Sequence, residues 1–179
     1  MYKVILPLAF IQCLFCNNAI GPGKSLDDIS SIFSSAPGGC SNSIVYKHDS
    51  PYSNFIIVRT NDDSLKIDTI ARAFDLADNA SNIAVSIDRY SCKDGKRYQG
   101  CFEYCNDVVC GELRDSVDRF TAISGSVRIR RSPAMEATYY TPYKMYLELN
   151  NVVFEDTCKA RLYIRHLDFD SVTVGWLPG

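Results

Sequence analysis

From Cys40 onward, apolar residues recur at every second position, the period of a strand with one face buried. "NIAVSIDRY" sets Ile83, Val85 and Ile87 against Ala84, Ser86 and Asp88. "SGSVRIRR" turns Val127 and Ile129 inward and Arg128 and Arg130 outward. "YKMYLELN" alternates Met145, Leu147 and Leu149 with Lys144, Tyr146 and Glu148. "KARLYIRHLDF" does the same with Ala160, Leu162 and Ile164 against Arg161, Tyr163 and Arg165. "NFIIVRT" (Asn54 to Thr60) is a β-branched run between "DSPYS" and "NDD". "LKIDTIARAF" places Leu65, Ile67, Thr69, Ala71 and Ala73 on one face, and "SVTVGW" closes the chain. Asp94-Gly95 is a tight-turn signal between two cysteine-bearing arms. About seven strands with turn signals between them predict an all-β, antiparallel sandwich or barrel.

Two stretches carry a helical period instead. Ser25 with Asp28 forms a capping-box-like start, and Leu26, Ile29, Ile32 and Phe33 follow at helical spacing until "SSAPGG". In "DVVCGELRDSVDRF", Val109, Leu113, Val117 and Phe120 predict a second short amphipathic helix, tied down by Cys110.

The N-terminus changes the picture of where this chain works. Lys3 precedes an uncharged apolar run, Val4 to Cys16, too short to span a bilayer and followed by small and polar residues. It reads as a secretory signal peptide over residues 1–19, cut after Ala19 or after Cys16. Residues 20–39 form an arm with a short helix, and residues 40–179 a single domain. No later stretch is long and apolar enough to cross a membrane, so no stable membrane insertion is expected. The formal charge of −2 becomes one unit more negative when Lys3 leaves with the leader, and only "RIRR" is densely basic. Nucleic acid is not an expected partner.

Export settles the reading of the cysteines. Without Cys13 and Cys16, six remain: Cys40, Cys92, Cys101, Cys105, Cys110 and Cys158. An even number in an oxidising compartment predicts disulfides, with the pairing open. Gaps of eight, three and four residues within the central cluster, and two histidines distant in sequence, fit neither a zinc knuckle nor a redox pair.

Catalytic signals are weak. His48 and His166 lie near no nucleophile motif, and His166 falls in phase with the buried Ile164, the position of an ordinary strand histidine. Asp62, Asp63, Glu155 and Asp156 read as solvated turn acids, and "NDDS" lacks a calcium-loop pattern. "GPGKS" lacks the first P-loop glycine, since Asn18 stands there. The chain is therefore read as a non-enzyme with no cofactor and no metal. Asn79-Ala80-Ser81 is an N-glycosylation sequon between two predicted strands.

The cysteine hairpin "SIDRYSCKDGKRYQGCFEYC", the following "NDVVCGELRD" and the late "SGSVRIRRSPAMEATYYTPYKMYLELNNVVFED" resemble arthropod secreted members of the MD-2-related lipid-recognition (ML) domain, in its GM2-activator-like branch. The likeness runs from about Phe55 to Ile164. Ser132-Pro133 stands where that branch has Cys-Pro, "AMEATYY" lacks its glycine, and no cysteine lies near the C-terminus, so one family disulfide is missing or rewired. The resemblance implies a disulfide-stapled, immunoglobulin-like two-sheet sandwich holding a lipid or other hydrophobic small molecule between its sheets. By phase, Ile57, Val85, Ile87, Met145, Leu147, Leu149, Leu162 and Ile164 are then the cavity-facing candidates. The rival reading is an extracellular protein-interaction module, an effector or inhibitor with a filled core, and a third is a hydrolase with a site that no motif marks.

Overall fold

The computed structural model describes residues 26–40, 43–50, 53–92, 114–135 and 142–175. The leader, the Asp94-Gly95 turn, Cys101, Cys105, Cys110 and the first part of the expected second helix lie outside them. The architecture is all-β and antiparallel. Among the described residues the strands are β1 (Gly38–Cys40), β2 (Ile44–His48), β3 (Asn54–Thr60), β4 (Arg72–Asp75), β5 (Ile83–Cys92), β6 (Arg114–Arg131), β7 (Tyr143–Glu155) and β8 (Arg161–Val174). Hydrogen bonding runs without a break through β1-β2-β3-β5-β6-β7-β8. The long β6 carries β5 along its first half and β4 along its second.

This single sheet curls because its three longest strands share a step. In β8, Ile164 and Leu167 are buried while Arg165 and His166 between them are exposed. In β7, Leu149 and Val152 are buried around Asn150 and Asn151. In β6, pairing with β7 shifts register twice between Ala122 and Ser126. Side chains alternate faces strictly along a strand, so two consecutive outward residues switch the inward set from even to odd numbers in β8 and from odd to even in β7. The steps lie side by side, since Asn150 pairs with both Ser126 and His166. Gly125 (φ 111°) and Asn151 (φ 51°) take the left-handed backbone that the bend demands.

Each long strand thereby contributes to two halves of the sheet that bury a common interior. Val45, Ile56, Val58, Val85 and Ile87 from one half cluster with Val127, Ile129, Leu147, Leu149 and Phe169 from the other. Each such fully buried side chain contributes about 1.5–3 kcal/mol before entropy costs. The ends of the roll approach closely, for a β-carbon built on Gly39 would stand 2.5 Å from Val172 and 2.8 Å from Val174.

The opposite face of β3 and β5 is buried too, which the alternation did not foretell. Phe55 and Ile57 pack there with Tyr90, the Phe55 and Tyr90 rings meeting edge to face at 5.6 Å. On that face Asp88 is 0% exposed, and Arg119, its cross-strand neighbour in β6, donates to its two carboxylate oxygens at 2.7 and 2.8 Å. Pairing of charge with good geometry is what makes a buried carboxylate tolerable.

Among the described residues neither expected helix forms. The arm forms only a single 3₁₀ turn, Ser30–Ile32. Its Ile29 N–H donates to the Tyr163 carbonyl at 2.9 Å, a parallel bridge on the flank of β8. Asp28 Oδ1 accepts from the amides of Ser30 and Arg165 at 3.0 and 3.1 Å. Its partial burial raises the carboxyl pKa, but these amide donors outweigh that and hold it below the ordinary value. The apolar spacing of the arm is real, since Ile29, Ile32 and Phe33 all reach the core, but tertiary contacts override helix formation. Arg114 to Phe120 belongs to β6, paired with β5. Of the expected "LKIDTIARAF" strand only Arg72 to Phe74 is extended, as part of β4, because the helical turn α1 (Asp62–Leu65) and a loop precede it.

The bend makes Gly125 irreplaceable. A β-carbon there would lie 2.7 Å from the Asn151 carbonyl oxygen and from the Val152 Cα. Gly125→Ala is expected to cost about 2–4 kcal/mol, combining left-handed strain with the clash against backbone. Urea unfolding of the two proteins measures this, and a loss below about 0.5 kcal/mol would remove the bend as a constraint.

Candidate functional site

Among the described residues, the eight cavity candidates divide between two packed clusters. Val85, Ile87, Met145, Leu147, Leu149 and Ile164 all lie in the main core, none more than 2% exposed, and Leu162 packs against its edge. Ile57 is displaced from the set altogether. It lies opposite Ser86 on the other face of β3, with Phe55 and Tyr90. A strand apolar on both faces gives no phase by which to choose its inward side.

Open space occurs instead on the outer face of β6, β7 and β8, where a groove of about 410 Å³ crosses the strands. The same alternation that buries Ile129, Leu147 and Phe169 turns Arg128 and Arg130, Tyr146 and Glu148, and Asp168 and Asp170 outward into it. Cross-strand register orders them as Arg128, Glu148, Asp168 in one row, with Arg130 opposite Tyr146 in the next. Beside Tyr146, the β7–β8 register slips by one between Met145 and Leu147, and Ser171 adopts φ 55°. Such a bulge bends a strand and re-aims its side chains, and here it lies at the Asp170 end of the groove.

Charge is sorted across the groove. Arginines come from β6 and aspartates from β8, with Tyr146 and Glu148 on β7 between them. The Arg130 guanidinium lies 3.6 Å from the centre of the Tyr146 ring. Stacking of this kind holds a guanidinium in place while its edge N–H donors stay free. Arg128 reaches Glu148 at 3.8 Å. Asp168 meets His166 at 3.0 Å, and the other ring nitrogen of His166 bonds Asn150 at 2.8 Å. Among the described residues, neither Arg130 nor Asp170 has a salt-bridge partner.

His166 is thus an exposed member of this surface, not the buried strand histidine its phase suggested, because the step after Ile164 reverses the alternation. His48 is half-buried on β2, bonded through Nδ1 to the Asp49 carbonyl at 2.7 Å and tilted against Phe55. Glu155 is gripped by Lys159 at 2.6 Å and Arg161 at 2.9 Å, and these bonds hold its pKa low. Asp156 closes the β7–β8 turn by accepting from the amides of Cys158 and Ala160, both at 2.8 Å. Asn79 lies in the turn after β4, its side-chain amide donating to the Asp75 carbonyl at 2.8 Å.

Cys40 and Cys158 are both disulfide-bonded. Cys158 sits in the turn that enters β8, whereas Gly39, next to Cys40, touches Val172 and Val174 at the far end of that strand. The side chain of Cys92 lies outside the described residues. No protein-family model, curated protein or solved structure matches this chain.

Lys47 gives this part of the molecule a pH signature. It turns inward from β2, its ammonium 5.9 Å from the Phe169 ring centre. Burial lowers its pKa from the ordinary 10.5, while Asp168 pulls the other way. The unfolded chain then holds the proton more tightly, so stability rises as pH increases toward 10.5. Lys47→Met is expected to unfold at higher urea than the parent at pH 7, with the gap narrowing by pH 10. Equal midpoints at both pH values would show that Asp168 compensates burial in full.

Proposed function

We propose that this protein is a secreted, disulfide-stapled interaction module with no enzymatic activity, which engages an extracellular protein partner through its outer surface. The reading that it carries a lipid is the rival. The observation that favours the module is the closed interior: the positions with the phase to face a guest between the sheets are occupied by one another. A carrier would need the two halves of the roll to part, giving up the contacts between Val85 or Ile87 and their neighbours across the core. Against this, burying a ligand gains about 25 cal/mol per Å² of apolar surface before ordering costs.

Export is supported by the apolar leader and by the even set of cysteines that remains after it. We read the doubled-over sheet as a two-layer sandwich, its corners formed by strands that pass from one layer to the other through bulges. This is the architecture that the ML resemblance implies, used here without its cavity. A glycan on Asn79 would project from the turn after β4.

Native mass spectrometry of the protein secreted from a eukaryotic host separates the readings. The module is expected to fly at the mass of its oxidised chain plus any glycan. Solvent extraction should release no stoichiometric lipid, and incubation with oleate or phosphatidylcholine vesicles should add none. Lipid retained at one molecule per chain would establish the carrier instead.

A further inference from the structure

The groove across β6, β7 and β8 has a polarity that narrows what it accepts. Resting on the interaction-module reading, we propose that it binds an extended peptide segment of the partner carrying an acidic and a basic side chain about 10 Å apart. The spacing follows from the sheet: β6 and β8 are two inter-strand steps apart, and each step is about 4.8 Å. At the β6 wall the guanidinium of Arg130, without an ion-pair partner among the described residues, is stacked on Tyr146 with its edge donors turned to the groove. At the β8 wall Asp170 has no salt-bridge partner among the described residues, and beside it lie Asp168, bonded to His166, and Glu148, reached by Arg128 at 3.8 Å. An incoming ammonium or guanidinium would meet the free carboxylate of Asp170 at a wall where acids cluster.

Single-sign ligands fit poorly by the same argument. A purely acidic segment satisfies Arg130 but meets Glu148, Asp168 and Asp170. A purely basic one satisfies the aspartates but meets Arg128 and Arg130. The ring of Tyr146 between the two ends suits the flat apolar surface of a proline, and a polyproline II segment advances about 9.3 Å in one turn, bringing residues i and i+3 to the same side. An acid and a base separated by two prolines therefore match the groove in length, in facing and in charge.

The probe is the blocked tetrapeptide Glu-Pro-Pro-Lys, titrated into the isotope-labelled full-length secreted protein and followed by amide chemical shifts. Controls are Glu-Pro-Pro-Glu, Lys-Pro-Pro-Lys and Pro-Glu-Lys-Pro, the last with its charges adjacent. The spaced zwitterion is expected to bind at least tenfold more tightly than each control, with shifts centred on Tyr146 and Asp170. Arg130→Glu and Asp170→Lys should each weaken it at least tenfold, and the charge-swapped double variant should recover most of the loss by taking the peptide in the opposite direction. Recovery cannot come from a misfolded surface, so it distinguishes recognition from damage. Equal affinity for all four peptides, or a double variant no better than the singles, overturns the proposal. Should that happen while no lipid is retained, the module reading survives and only its site is lost; retained lipid defeats the module reading whatever the peptides do.

Discussion

The structure depends on one line of close backbone contact running across β6, β7 and β8. Without the left-handed turn at Gly125 and its counterpart at Asn151, strands of this length would extend as a twisted open sheet with its apolar side in water. The step folds that sheet over its own apolar surface, so a sheet with unbroken hydrogen bonding encloses a core without a second, separate sheet. Backbone sterics thus decide the architecture before side-chain packing completes it. A glycine in contact with a neighbouring strand's carbonyl is a stronger constraint than any single core residue, since neighbouring side chains adjust more readily than main chain.

Most of the strand content was legible in the alternation. Val127 and Ile129, and Met145, Leu147 and Leu149, face inward as their spacing requires. What pattern could not reveal was where alternation pauses. Arg165-His166 and Asn150-Asn151 each look like one polar residue too many, and only their adjacency across strands makes them a bend. Ile57 failed for a related reason, for a run apolar at four successive positions fits either face. The arm and the start of β6 looked helical because apolar residues three and four apart also occur where an irregular or bulged chain meets a core. The groove was half visible: Arg128, Arg130, Tyr146 and Glu148 were assigned outward, but Asp168 and Asp170 face out only because the step after Ile164 reverses the phase, and the order of all six across the sheet is a matter of register, which no single strand encodes.

The two outer faces of the roll are treated differently. Over β3 and β5 the outer face is sealed, with Asp88 and Arg119 locked together and the Ser86 hydroxyl buried with no hydrogen-bond partner. Over β6 to β8 it is polar, open and sorted by charge. A sealed face adds rigidity to the half of the sheet that carries β1 to β5, while the open face leaves its polar atoms bonded to water and to one another. Rigid support beneath an open polar surface lowers the ordering cost of recognition.

The flanks of the curled sheet have a consequence for the behaviour of the protein in solution. An exposed strand edge is a template on which other chains can assemble. Here β8 is lined at its first residues by the arm, through Ile29 and Asp28. Another flank, β4, is four residues long, with an arginine at one end and an aspartate at the other. So brief and so charged a border gives a growing fibril little to copy.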